Sequence, residues 1–161
     1  MAPVYKPETY DMRNAVPYLM ARVRAAMVDE VDAALAPFGI RAAEYFVLLA
    51  LANDMAATAS GMCAFIDHDP GAMTRKIDNL EKKNLVRRVR DPEDRRAIKL
   101  ELTAEGKAVY PKVLAASVGV VNRFLEGFAK TEVRQMEDML RRMLENSACA
   151  AAETAAKEAR R

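Results

Sequence analysis

The sequence predicts a mainly α-helical fold carrying one small β-hairpin, and three observations predict it. Only six glycines and seven prolines occur in 161 residues, so long regular elements are expected. Alanine, methionine and leucine are plentiful and tryptophan is absent, a composition of good helix formers. Apolar residues recur at helical spacing except in one stretch, 86–102, where extended, alternating runs flank a polar tip.

The elements follow in order. Residues 1–10 carry two prolines and no periodicity, and read as a flexible arm. From Asp11 to Ala36, apolar residues at 16, 19, 20, 23, 27, 31 and 35 predict a first helix. Pro17 is tolerated in its opening turns, and Pro37 and Gly39 end it. The run Arg41–Asn53, RAAEYFVLLALAN, is apolar nearly all round and predicts a buried second helix. A short third helix is expected over Ala59–Ile66, then the turn IDHDP. Asp69 suits an N-cap and Pro70 a first helical position, so a fourth helix starts there and ends near Lys83. Asn84 can close it in the left-handed conformation. The runs LVRRVR and AIKLEL around DPEDRR read as a hairpin, with Ile98, Leu100 and Leu102 on one face. Thr103 caps a fifth helix reaching Phe128 and bent at Pro111. Thr131 caps a sixth, whose stripe is Met136, Met139, Leu140, Met143 and Leu144. The alanine-rich tail 147–161 is expected to extend that helix or to fray.

The totals bound the function. At 52% hydrophobic and 30% charged residues the chain reads as a soluble globular protein of about one domain. No apolar run approaches the ~20 residues of a membrane span. The N-terminus has no basic start followed by an apolar core, so a cytoplasmic protein without a membrane partner is expected. Cys63 and Cys149 are too few and too distant for a disulfide framework or a zinc site. His68 is the only histidine, and Asp67-His68-Asp69 cannot converge on one ion, so no metal and no catalytic role is expected there. No glycine-rich phosphate loop, no Ser/His/Asp set and no cofactor motif is present, which speaks against an enzyme.

Charge is distributed more informatively than its net value of +2. The window 71–99 holds ten Lys/Arg and five Asp/Glu, a net +5, leaving −3 for the rest. A basic patch on a slightly acidic body is the footprint of a nucleic-acid surface. On a helical wheel of 71–83, Met73, Ile77 and Leu80 share one side, and Ala72, Arg75, Lys76, Asn79 and Lys82 fan over the other. The small Gly71 and Ala72 let the first turn, with Thr74, approach a partner closely. A short helix, a tight turn and a second helix with an outward basic face form a helix-turn-helix, whose second helix enters the major groove of double-stranded DNA. Arginine reads guanine edges, asparagine reads adenine, and lysines hold phosphates. The hairpin then brings Arg88, Arg90 and Arg95 to a wing able to reach the backbone or the minor groove. The acidic tip residues, Asp94 among them, orient the arginines or shape the turn.

The stretch AMTRKIDNLEKKNLVRRVRDPEDRRAIKLELTAEGKAVYP resembles the core of the MarR family of bacterial transcriptional regulators. The resemblance rests on Thr74-Arg75, Leu80-Glu81-Lys82-Lys83-Asn84-Leu85-Val86, Asp94-Arg95-Arg96 and Leu102-Thr103-Ala104-Glu105-Gly106, and the six-helix layout extends it over 11–146. Asn84 stands where glycine is usual, and Asp67 and His68 where a glycine and an apolar residue are common. The resemblance implies a homodimer, with dimerisation helices in 11–36 and 104–146 and a winged helix-turn-helix lobe, 41–103, inserted between them. It implies that Asp78 pairs with Arg96 to brace the wing and leaves Arg95 to enter the groove. It also implies a small-molecule effector, a phenolic or aromatic carboxylate, for which Tyr18, Arg22 and Tyr45 are candidate contacts. The expected function is a ligand-responsive repressor released from a pseudo-palindromic operator. Alternatives are a redox-sensing repressor using Cys63 or Cys149, a helical scaffold, and a small-molecule-binding enzyme.

Overall fold

The computed structural model describes residues 2–66, 69–90 and 98–158, with side chains at all of these except 64–66 and 149–158. Its elements are α1 (Val16–Leu35), α2 (Ala42–Ala52), α3 (Ala59–Ile66), α4 (Pro70–Lys82), β1 (Val86–Arg90), β2 (Ile98–Leu102), α5 (Ala104–Phe124) and α6 (Lys130–Glu158). They fall into two compact units, Met1–Val121 and Asn122–Arg161. No single helix among the described residues is long and apolar enough to cross a membrane.

In the first unit the N-terminal arm has local order. It forms two 3-10 turns, Pro7–Thr9 and Met12–Asn14. Tyr5 packs edge-on against Tyr10, and its Oη accepts the first N–H of α1, from Val16, at 3.0 Å. Helix α1 therefore starts five residues later than the periodicity predicts, because Asp11 caps a 3-10 turn through the Arg13 N–H instead of the helix itself. Gly39, at φ +64°, turns the chain after α1, and Asp32 of α1 accepts the Ala42 N–H at the start of α2 at 2.5 Å. Helix α2 is buried along most of its length, as its composition predicts.

The core joins Leu35, Ile40, Val47, Leu48, Met62, Met73, Ile77, Leu80, Val86, Val113 and Val120, all essentially closed to solvent. Helix α4 ends in a Schellman motif: Asn84, at φ +55°, donates to the Glu81 carbonyl, and Leu85 donates to the Leu80 carbonyl. Strands β1 and β2 pair antiparallel, with Val86 opposite Leu102 and Arg88 opposite Leu100. Of the face expected to be apolar, Leu100 is buried, Leu102 is half-buried and Ile98, nearest the tip, is exposed. The Leu100 N–H also reaches the Ala57 carbonyl at 2.7 Å, tying the hairpin to the loop before α3.

The Leu102-Thr103-x-x-Gly106 motif seats α5 against the end of α4. Thr103 Oγ1 donates to the Asn84 carbonyl at 2.6 Å and accepts the Gly106 N–H at 3.0 Å, so one hydroxyl caps one helix and closes another. Gly106 lies so close to the Leu85 carbonyl that a Cβ there would stand 2.0 Å from its oxygen. Only glycine fits without a backbone shift. Pro111 lies inside α5 without ending it.

In the second unit, Gly127 at φ +86° turns the chain from the end of α5. Helix α5 ends at Phe124, four residues short of the predicted Phe128. Helix α6 begins at Lys130, one residue before the predicted cap Thr131, because Glu132 closes its first turn by accepting the Ala129 N–H at 2.7 Å. It runs to Glu158, so the tail extends the helix as far as the described residues reach.

Candidate nucleic-acid interface

The interface is built on α4. Asp69 caps it by accepting the Ala72 N–H at 2.9 Å, and Pro70 fills the first turn, as the sequence predicts. Met73, Ile77 and Leu80 fix its inner face. With that face buried, Gly71, Thr74, Arg75, Asn79 and Lys82 are exposed, and Ala72 and Lys76 are half-buried at the margins. Thr74 Oγ1 donates to the Pro70 carbonyl at 3.0 Å, which leaves its lone pairs free to accept. All seven expected residues thus share one outward surface.

The wing strands follow within three residues of α4. Arg90 is exposed at the tip end of β1. Arg87 pairs across the hairpin with Glu101 at 2.7 Å. Arg88, expected to face DNA, is instead held between two carboxylates of α4. Its Nη2 donates to Asp78 Oδ1 at 2.8 Å, its Nη1 to Glu81 Oε2, and its main-chain N–H to Glu81 Oε1 at 3.0 Å. Asp78 therefore carries Arg88, and its expected partner Arg96 lies outside the described residues with Asp94 and Arg95. Asp67 and His68 lie outside them as well. Sequence reasoning missed the part played by Glu81, whose signal was its position three residues after Asp78 on one helical face. It also missed the Glu44–Lys83 pair at 2.6 Å, which ties α2 to the end of α4.

Of the expected effector residues, Tyr45 lines a cavity and Tyr18 and Arg22 are absent from its lining. The cavity, of about 260 Å³, lies among α1, α2 and α5, and Met27, Val28, Val31, Phe46, Leu49, Ser117 and Val118 also line it. Tyr18 and Arg22 lie further toward the N-terminus of α1, more than a helical turn from Met27, and do not line it. Burial pushes the Tyr45 phenol above its ordinary range, partly offset by its hydrogen bond with Ser117. Cys63 is a half-buried free thiol on α3.

The short helix α3, the helix α4 with its basic outer face and the antiparallel pair β1–β2 are the elements of a winged helix-turn-helix, the DNA-binding module of many transcription factors. Comparison with known proteins narrows the class. The MarR family model matches residues 40–98, the lobe just described. The chain is 29% identical over 125 residues to the HTH-type transcriptional repressor MdtR of Bacillus subtilis, covering 78% of each protein. It superposes on CouR of Rhodococcus jostii RHA1, solved with p-coumaroyl-CoA bound, with a TM-score of 0.76, 29% identity and coverage of 84% of this chain and 95% of that one. A MarR-family transcriptional regulator from Rhodococcus sp. RHA1 matches with a TM-score of 0.73 at 30% identity, covering 81% and 95%. The chain belongs to the MarR family and is a transcriptional regulator of that type.

Proposed function

We propose that this chain is a homodimeric repressor that binds a pseudo-palindromic operator and is released by a small aromatic or phenolic carboxylate. The observation that carries the DNA reading is the outward face of α4, where Gly71, Ala72, Thr74, Arg75, Lys76, Asn79 and Lys82 share one surface, with Arg90 exposed at the end of β1. In this reading α4 enters the major groove and the wing, with Arg90 and Arg95, lies along the adjacent backbone or minor groove. Asp78, Asp94 and Arg96 shape the wing. Such a protein acts in the cytoplasm, where the DNA is, and it is a regulator and not an enzyme, as its relatives are.

The dimer is supported by apolar side chains that one chain leaves uncovered: Leu19, Met20 and Val23 on α1, Val118 and Val121 on α5, and Met139, Met143 and Leu144 on α6. A second copy covers them in this reading. Two-fold symmetry then sets half-site centres about one helical turn, ~34 Å, apart.

The effector is supported by the Tyr45 cavity and by the aromatic acyl ligand of CouR. The cavity lining is apolar apart from the Tyr45 and Ser117 hydroxyls and holds no cation. An aromatic ring fits within it, and the acid group stays at its open side. Arg22 and Tyr18, exposed and half-exposed on α1, are left as candidates to meet that group from outside the cavity.

A mobility shift on the DNA flanking the protein's own gene, at fixed moderate salt and with a panel of aromatic carboxylates, tests the whole reading. A saturable shift abolished by one acid is the expected result. A shift insensitive to every acid but lost with peroxide moves the sensor to the cysteines. No specific shift there or on other candidate promoters contradicts the repressor.

A further inference from the structure

Arg88 occupies a place that its position in the basic window does not announce. It sits in the middle of β1, opposite Leu100, on the exposed side of the strand, with its side chain 32% exposed. Asp78 and Glu81 stand one turn apart on the same face of α4 and take the two ends of its guanidinium fork. Glu81 does more: its other oxygen accepts the Arg88 main-chain N–H at 3.0 Å. That N–H points away from β2, so Glu81 fills an edge donor of the strand as well as pairing its charge. Three contacts thus fasten the wing's first strand to the recognition helix.

The electrostatics point the same way. Among the described residues, two carboxylates and one guanidinium sum to −1, set beside an outward face that is otherwise basic. A phosphate brought to Arg88 meets two anions already using its donors and gains little. A partly exposed ion pair also contributes little to folding on its own. What the cluster fixes is geometry, because a planar fork bridging two carboxylates admits few orientations.

We propose that Arg88 is a positioning residue and not a DNA contact: with Asp78 and Glu81 it locks the first strand of the wing to α4, so that helix and wing meet the DNA as one unit. This rests on the DNA-binding reading above and adds to it which arginine sets the spacing between the two reading elements.

The test uses the full chain and a duplex selected by the parent protein from a random pool, titrated over a series of salt concentrations. Arg88→Lys keeps a cation but loses the fork, and Glu81→Gln keeps the shape and the acceptor for the N–H but loses the charge. Each is expected to weaken binding about tenfold with the thermal midpoint and the salt slope close to the parent's, and the double variant to be no weaker than either single one. Arg90→Ala, removing a phosphate contact, is expected to lower the salt slope by about one. Parental affinity in Arg88→Lys or in Glu81→Gln overturns the proposal, as does a loss of about one in salt slope on Arg88→Ala. A parent that selects no duplex overturns the DNA reading itself, and this inference with it.

Discussion

Helix α4 buries the apolar residues of its stripe, Met73, Ile77 and Leu80, and turns Arg75, Asn79 and Lys82 to solvent, whereas α6 leaves its own stripe in the open, with Met139 59% and Leu144 71% exposed. Both are amphipathic, and the same periodicity identifies both. They differ in which face lacks a partner. In α4 the unpartnered face is basic and rich in hydrogen-bonding groups, which suits a polyanion. In α6 it is methionine and leucine, which water penalises and a second apolar surface relieves. A sequence pattern therefore reports which residues share a face, and burial reports what that face is for.

The contrast can be broken most severely at the seat of α4. Gly106→Ala places a Cβ against the Leu85 carbonyl, so α5 and the Schellman end of α4 cannot both keep their positions. We expect a loss of about 3 kcal/mol in urea unfolding, the upper range for overpacking, with DNA binding failing alongside it. On the α6 side, Leu144→Asp puts a charge on the uncovered stripe. It is expected to shift sedimentation toward the monomer while far-UV circular dichroism stays helical, and to weaken operator binding about a hundredfold through loss of the second half-site. On the α4 side, Arg75→Ala is expected to cost about 1–3 kcal/mol of operator binding in titration and to leave the unfolding midpoint unchanged.

The smallest expected effect concerns pH. Burial raises the folded-state pKa of Tyr45, so the unfolded chain loses that proton first as pH rises. The group's contribution is therefore complete below the ordinary phenol value of about 10 and is lost as pH climbs through the raised folded value. Tyr45→Phe should flatten the alkaline fall in stability in pH-dependent denaturant titrations.

Much of the lobe was legible because its signals are local. Asp69 and Pro70 start α4 where capping chemistry puts them, and Asn84 ends it in the left-handed conformation. The alternation in AIKLEL placed β2, and the wheel of 71–83 separated the inner from the outer face. What escaped was set by contacts between distant residues. Periodicity does not place Glu44 against Lys83, Asp32 on the Ala42 N–H, or the Leu85 carbonyl where a Gly106 side chain would go. Arg88 carries the same charge as Arg90, and only the fold separates a cation held by two carboxylates from one facing solvent. Tyr18, Arg22 and Tyr45 were grouped on family resemblance, and the cavity takes only Tyr45 because its part of α1 begins at Met27.

The claim that α4 faces DNA while α6 faces a second copy is tested most directly by hydroxyl-radical footprinting of the protein on a duplex it selects, with the stoichiometry of the complex measured by native mass spectrometry. The account predicts two chains per duplex and a two-fold symmetric footprint whose half-site centres lie about 34 Å apart, a helical turn of DNA. One chain on a single asymmetric half-site would contradict it.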